Sequence, residues 1–114
     1  DEMSENVGFA GQIGPEHIAQ VAEKGFKSVM NNRPDLEGGT EQPTSAQIEE
    51  AARAAGLDYV SLPVVAGQIT EVDVRTFANR FNELPKPVLM FCRTGNRSNN
   101  LYQIAKQMDL LDDE

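Results

Sequence analysis

A short segment around the chain's single cysteine has the residue types that nucleophilic chemistry needs. It reads Cys92-Arg93-Thr94-Gly95-Asn96-Arg97-Ser98. A thiol attacks well only as a thiolate, and nearby arginines and a helix N-terminus lower its pKa from about 8.5 to between about 3.5 and 7.5. We therefore predict that Cys92 is a nucleophile and that Arg97 and the loop N–H groups stabilise the anion formed on it. The alternative, a buried cysteine before an ordinary turn, needs neither arginine.

An apolar strand and an amphipathic helix are predicted to hold this segment. Residues 88–91 run without a polar break into the cysteine, which indicates a buried strand. Beyond the segment, apolar residues recur with helical spacing at Leu101, Ile104, Ala105 and Met108. Gly95 lies between the two elements, where a sharp turn needs conformational freedom. Such a turn directs several N–H groups and the positive end of the helix toward one point, and it therefore predicts an anion-binding cradle.

The composition restricts the class of partner. A chain of 114 residues is expected to form one domain. Its net charge of −8 argues against nucleic acid or an anionic membrane surface as a partner. No cofactor is predicted, and one histidine with one cysteine makes a self-contained metal site unexpected. No apolar run approaches membrane-spanning length and no signal peptide is visible, so we expect a cytoplasmic location, whose reducing conditions suit a free thiol.

The rest of the chain alternates strand and helix patterns. Further strands are predicted at Phe9–Ile13, Phe26–Asn31 and Tyr59–Val64, and helices follow Gly14, Thr44 and Thr70. Thr44 and Thr70 each begin a capping-box pattern. Residues 1–8 are predicted to be a flexible terminus and residues 9–114 a single domain. The alternation predicts an α/β fold in three layers, with a mainly parallel central sheet flanked by helices.

Two further residues are predicted to join the cysteine at one edge of this sheet. Asn32 and Arg33 follow the second strand, and ligands of parallel sheets bind at the carboxyl ends of the strands. Arg33 is a candidate third cation for the substrate, although a solvated turn arginine is equally consistent with the sequence. The predicted substrate-binding set is therefore Arg93, Thr94, Gly95, Asn96, Ser98, Asn32 and Arg33. His17 is expected at the surface without a catalytic role.

The cysteine segment resembles the active loop of rhodanese-type sulfurtransferases and, less closely, that of tyrosine and dual-specificity phosphatases. From about Phe9 onward the chain is similar to a small bacterial family that includes the phosphatase-like domain of β-lactamase hydrolase-like proteins. The matching stretches are Gly11-Gln12-Ile13, Asn31-Asn32-Arg33-Pro34-Asp35 and Leu62-Pro63-Val64. Members are described both as phosphatase-like and as sulfur transferases, and some are fused to persulfide dioxygenases. The resemblance implies a cysteine phosphatase-like or rhodanese-like fold, and a persulfide dioxygenase or a thiol acceptor protein as a partner.

Three features of the sequence favour sulfur transfer over phosphate hydrolysis. The spacing of Cys92 and Arg97 is C-x4-R, which matches the rhodanese length, whereas the phosphatase pattern is C-x5-R. Phe91 stands where those phosphatases usually carry histidine. The loop at 65–69, where they place an acidic residue that protonates the leaving group, contains no acid. Glu71 and Asp73 follow shortly, but their positions after Thr70 fit helix capping better than catalysis.

The predicted function is therefore that of a rhodanese-like sulfurtransferase. Cys92 would take a sulfane sulfur from a small anion, thiosulfate or a low-molecular-weight persulfide, and pass it to a thiophile. Arg97 would hold the persulfide, and Arg93 would position the sulfonate or carboxylate of the donor. One alternative is a phosphatase that cleaves phosphate esters through a phosphocysteine. The other is a non-catalytic anion-binding or sulfur-carrier module.

Overall fold

The structure, a computed structural model, describes residues 6–65 and 67–112. The strands are β1 (Val7–Ala10), β2 (Ser28–Asn31), β3 (Asp58–Ser61) and β4 (Val88–Phe91). A single 3-10 turn, Pro15–His17, leads into the first helix. The helices are α1 (Ile18–Glu23), α2 (Ser45–Ala54), α3 (Glu71–Glu83) and α4 (Asn96–Gln107). No helix in the described ranges is both long and apolar enough to cross a membrane.

The four strands form one parallel sheet in the order β1-β4-β2-β3. Every residue of β2 and β4 is buried, because these strands are central and helices cover both faces of the sheet. One face packs on α3 and α4 through residues such as Phe77 and Leu101. The other packs on α1 and α2 through residues such as Ile18 and Ile48. The predicted three-layer α/β fold is confirmed.

Several strand boundaries differ from the sequence prediction: β1 ends at Ala10 and not at Ile13, and β2 begins at Ser28 and not at Phe26. β1 begins at Val7, which pairs with Val88 and is 2% exposed, so the predicted flexible terminus of residues 1–8 was too long. The sequence around Val7 is polar and gave no strand pattern, and pairing with β4 stabilises the strand there. Residues 1–5 lie outside the described ranges. β3 ends at Ser61 and not at Val64. The backbone N–H groups of Leu62 and Val64 still donate to the carbonyls of Asn31 and Asn32, at and just after the end of β2. The intervening Pro63 has no N–H to continue a regular ladder.

Both predicted capping boxes are present. Thr44 Oγ1 accepts from the N–H of Gln47 at 3.1 Å, and Gln47 Oε1 accepts from the N–H of Thr44 at 2.9 Å. Thr70 and Asp73 make the same reciprocal pair at the start of α3. Each box satisfies two backbone N–H groups that a helix start would otherwise leave without partners.

Candidate active site

The segment between β4 and α4 turns sharply and rests on the end of β1. Gly95, the N-cap of α4, has φ of 93°, and a Cβ there would lie 3.3 Å from the carbonyl oxygen of Ala10. Both the left-handed backbone and the close approach therefore require glycine. The N–H of Gln12 donates to the carbonyl of Arg93 at 3.2 Å, and the N–H of Cys92 donates to that of Ala10 at 3.4 Å. The turn is thus fixed by the β1 end of the sheet.

The thiol of Cys92 lies under the N-terminus of α4 and is 1% exposed. Burial acts to raise its pKa, but hydrogen bonds that the backbone N–H groups of Ser98, Thr94 and Gly95 donate to the sulfur outweigh burial, so its pKa lies below the ordinary value. The Gly95 nitrogen is 3.1 Å from Sγ. The predicted activated thiolate is therefore consistent with the geometry of the loop.

The Ser98 hydroxyl has one hydrogen and two acceptors within reach. The amide of Asn32 donates from Nδ2 to the Leu62 carbonyl at 3.1 Å, and a carbonyl can only accept. This bond fixes the amide so that Oδ1 faces Ser98 and accepts from Oγ at 2.7 Å. The hydroxyl hydrogen is thus committed to Asn32, and the backbone N–H of Ser98 is the more effective donor to the sulfur of Cys92.

Arg97 is fixed by a carboxylate that the sequence analysis did not single out. Its Nη1 donates to the Val64 carbonyl at 3.0 Å and lies 3.1 Å from Oε2 of Glu37, while Nη2 donates to Oε1 of Glu37 at 3.1 Å. Arg33 donates from Nε to the same Oε1 at 2.9 Å and from Nη1 to Oε1 of Gln12 at 2.9 Å. One carboxylate therefore bridges both arginines.

The charge state of Glu37 follows from these partners. Partial burial acts to raise its pKa, but the hydrogen bonds and positive charges of Arg97 and Arg33 outweigh burial and hold its pKa below the ordinary value. The carboxylate is thus ionised at neutral pH and has no proton to donate to a leaving group.

A cavity of about 470 Å³ opens onto the thiol side of the loop. Its lining includes Cys92, Arg93, Thr94, Asn96 and Arg97, all of them predicted site residues. A larger cavity of about 710 Å³ lies against β1 and α1, but the cysteine does not line it. The smaller cavity is the candidate active site because it contains the nucleophile.

Two predicted substrate contacts do not line this cavity. The side chain of Asn32 is fully buried and is held by Leu62 and Ser98, so it supports the loop from beneath the cavity. Arg33 is 9% exposed, and its guanidinium is directed at Glu37 and Gln12 and not into the cavity. Both residues do lie at the predicted sheet edge, but their side chains point into the protein. The position of a residue in the sequence does not predict which way its side chain points at the end of a strand.

Gly95 and Ser98 belong to the site without lining the cavity. Both are buried, and both donate toward the sulfur through the backbone. They act on the thiolate rather than on a substrate.

The two weak candidates for a general acid are both used elsewhere. Oε2 of Glu71 accepts from Nε of Arg75 at 2.9 Å across an exposed ion pair, and Oδ2 of Asp73 accepts from the N–H of Thr70 at 3.0 Å. No aspartate or glutamate is among the described residues that line the cavity. Nor does the described part of the chain hold a group of three or more histidine, cysteine, aspartate or glutamate side chains suited to a metal ion.

The residues that sequence reasoning missed are Glu37, Gln12 and Val64, which together anchor Arg33 and Arg97. A signal for two of them was present, since Gln12 and Val64 lie in the short stretches that carry the family resemblance. Glu37 lies beyond those stretches, and nothing in its local pattern distinguishes it from a solvated acid.

Comparison with known proteins agrees with this architecture. The family model of the phosphatase-like domain of β-lactamase hydrolase-like proteins matches residues 2–109. The chain belongs to this family. A β-lactamase hydrolase-like protein of Agrobacterium fabrum is 37% identical over 107 residues, which are 94% of this chain and 25% of that protein. A protein of the same name from Xylella fastidiosa Temecula1 is 32% identical over 108 residues, 95% of this chain and 25% of that protein. The chain thus spans about a quarter of these relatives.

Solved structures place the fold among phosphatase-like proteins. The crystal structure of a "putative phosphatase" from Neisseria meningitidis Z2491 has a TM-score of 0.86 and 32% identity, and the match covers 95% of this chain and 76% of that one. A second protein described in the same words, from Shewanella putrefaciens CN-32, has a TM-score of 0.79 and 20% identity, with coverage of 98% and 71%. At that identity the second match concerns the fold alone.

Proposed function

We propose that this domain is a thiolate-dependent sulfurtransferase. The observation that carries the proposal is the absence of a proton donor: no acid is among the described residues that line the cavity, and the carboxylate on Arg97 is ionised. An alkoxide leaving group needs general-acid assistance worth about 10²–10⁴ in rate, whereas sulfite or a thiolate leaves without it. The short loop between Cys92 and Arg97 adds support, because it suits one outer sulfur better than a tetrahedral phosphoryl group.

The proposed reaction proceeds in two displacements. The thiolate of Cys92 attacks the outer sulfur of thiosulfate, and the S–S bond breaks with its electron pair leaving on sulfite. Cys92 then carries a persulfide anion, which the N–H groups of Thr94 and Gly95 and the guanidinium of Arg97 stabilise. A thiophile attacks the outer sulfur, takes it, and regenerates the thiolate. With an organic persulfide as donor, the leaving group of the first step is a thiolate.

Arg93 has a separate role in this proposal. Its side chain is exposed at the mouth of the cavity, and within the described ranges no hydrogen bond or ion pair holds it. It is therefore available to bind the sulfonate of thiosulfate or a carboxylate of a larger donor. The acceptor of the sulfur would be a small thiol or a thiol acceptor protein, and a persulfide dioxygenase would be a second kind of partner.

Phosphate ester hydrolysis is the second candidate, and the family description and the Neisseria structure favour it. In that reaction Cys92 would attack phosphorus and form a phosphocysteine that water hydrolyses. The same loop amides would bind the equatorial oxygens. Without a general acid we expect hydrolysis of p-nitrophenyl phosphate, whose leaving group is weakly basic, to be slow, and hydrolysis of alkyl phosphates slower still.

Intact-protein mass spectrometry separates the two functions. The protein is incubated with thiosulfate or with glutathione persulfide and desalted, and sulfur transfer predicts a gain of one sulfur atom that cyanide removes as thiocyanate. Cys92→Ser is the matched control and should gain nothing. An unchanged mass with both donors, together with brisk turnover of alkyl phosphates, would establish the phosphatase instead. A stable persulfide that no thiol removes would leave a sulfur carrier.

A further inference from the structure

The ion pairs around Arg97 suggest a residue that sets the charge preference of the site. We propose that Glu37 is a specificity-determining residue that tunes the cradle to a single negative charge. The cradle then holds the persulfide anion of Cys92 well and binds dianions poorly, phosphate monoesters and thiosulfate alike, so of the two proposed sulfur donors it favours the organic persulfide. The identity of the favoured monoanion rests on the proposed sulfur transfer, but the charge preference itself does not.

The hydrogen bonds of Arg97 show which of its edges is left for a ligand. A guanidinium has five N–H bonds. Nη1 faces the Val64 carbonyl and Oε2 of Glu37, and Nη2 uses one hydrogen on Oε1 of Glu37. Nε and the second hydrogen of Nη2 have no partner among the described residues. These two form one side of the planar group, which is a fork suited to an anion in the cavity.

Glu37 therefore acts on a bound anion from the neighbouring edge of the same guanidinium, because the two edges share Nη2. The cluster contains two buried arginines and one carboxylate, so its net charge is +1. Both arginine side chains are at most 10% exposed and the Glu37 side chain is 25% exposed, so water screens the cluster only in part. Arg33 holds the carboxylate in place from a position outside the cavity lining. A ligand anion is thus attracted by Arg97 and repelled by Glu37 at short range.

Coulomb repulsion scales with the charge of the ligand, and this gives the proposal its measurable form. Removal of a unit negative charge next to a binding group raises the affinity for a monoanion by about tenfold at the dielectric of a protein surface. The same change raises the affinity for a dianion by about a hundredfold, because the repulsion energy doubles. A residue that only supported the position of Arg97 would not produce this two-to-one relation.

The test compares anion binding by the wild-type protein and Glu37→Gln, which keeps the side-chain shape. Nitrate is the monoanionic probe, and sulfate and inorganic phosphate at pH 8.5 are the dianions. Each is titrated at constant ionic strength, and binding is measured as protection of Cys92 from iodoacetamide, an uncharged reagent. Rates are normalised to those of the same variant without anion, so a changed thiol pKa does not enter the comparison.

The matched control is Glu49→Gln, which removes the same charge from an exposed glutamate–arginine pair on α2, where Oε2 of Glu49 lies 3.0 Å from Nε of Arg53. We expect wild-type affinities from this control, and from Glu37→Gln the tenfold and hundredfold gains. Equal gains for nitrate and sulfate, or no gain, would overturn the proposal. If Glu37→Gln does not fold, Arg33→Gln tests the same electrostatics with the opposite sign and should weaken sulfate binding more than nitrate binding.

The mass measurement on wild-type protein keeps the two proposals apart. A selective gain in sulfate affinity without any persulfide on Cys92 would retain the charge preference and remove sulfur transfer. A persulfide on Cys92 without the selective gain would do the reverse.

Discussion

Asn32 offers the sharpest test of how the site is held together. Asn32 follows β2 and connects it to the ends of β3 and β4. Its backbone N–H donates to the Phe91 carbonyl at 2.9 Å, and its side-chain Nδ2 donates to the Leu62 carbonyl. Its side-chain Oδ1 accepts from Ser98 at the start of α4. The side chain is fully buried. Replacement by leucine keeps a similar volume and the backbone bond but removes both side-chain bonds.

The expected cost follows from the groups that lose their partners. A buried polar group without a partner costs about 1–3 kcal/mol. The Leu62 carbonyl has no substitute for the amide, whereas the Ser98 hydroxyl can turn toward the sulfur of Cys92. We therefore expect Asn32→Leu to lower the free energy of unfolding by about 1–3 kcal/mol, a large part of the roughly 5–15 kcal/mol of an ordinary domain.

Urea unfolding followed by circular dichroism measures this loss. With a slope of about 2 kcal/mol per molar urea, the midpoint should fall by about 0.5–1.5 M. The control is Asn99→Leu. The Asn99 side chain accepts an exposed hydrogen bond from Gln103, so this substitution should change the free energy of unfolding by less than about 0.5 kcal/mol. A loss below about 1 kcal/mol for Asn32→Leu would refute the reasoning. Iodoacetamide kinetics on the folded variant add a second check, since the released hydroxyl hydrogen should lower the pKa of Cys92 further.

Two further predictions concern the ionisation of Cys92. Because the fold lowers its pKa, ionisation stabilises the folded state fully above the unfolded-state value near 8.5, and this contribution disappears as pH falls through the folded-state pKa. The excess stability of wild type over Cys92→Ser in urea should therefore shrink as pH is lowered from 9, and a constant difference would contradict the depressed pKa. Ser98→Ala should leave the pH inflection of Cys92 alkylation nearly unchanged, because the hydroxyl hydrogen is committed to Asn32 and the backbone N–H remains; a rise of more than about one unit would show that the hydroxyl is a main donor.

Features that depend on neighbouring residues in the chain could be predicted from the sequence. The apolar run of β4, the glycine turn and the helical spacing of α4 locate Cys92 correctly, because each pattern is local. The capping boxes at Thr44 and Thr70 are equally local. The second one correctly predicted that Asp73 caps α3. The parallel sheet followed from the alternation of the elements.

Features that depend on side-chain direction and distant pairing could not be predicted. Successive residues of a strand end face opposite ways, so Asn31 bonds Tyr59 while Asn32 bonds Ser98, and the sequence does not say which face is which. The contact of Glu37 with Arg97 joins residues 60 positions apart. Neither residue's local pattern carries information about the other, so the sequence predicted separate cations where the structure has two arginines bridged by one carboxylate.

This pairing locates where the choice of reaction lies. The thiolate of Cys92 and the N–H groups around it would serve attack on sulfur and attack on phosphorus equally well, because both reactions need a stabilised anion at the same point. What distinguishes the reactions is the charge that the site tolerates and the proton that it supplies. In our proposal, Glu37 lowers the negative charge that the site tolerates. Its ion pairs with the arginines keep it ionised, so it has no proton to supply. The loop after β2 thus selects the chemistry of the cysteine loop in our proposal, although it contributes no atom to the nucleophile.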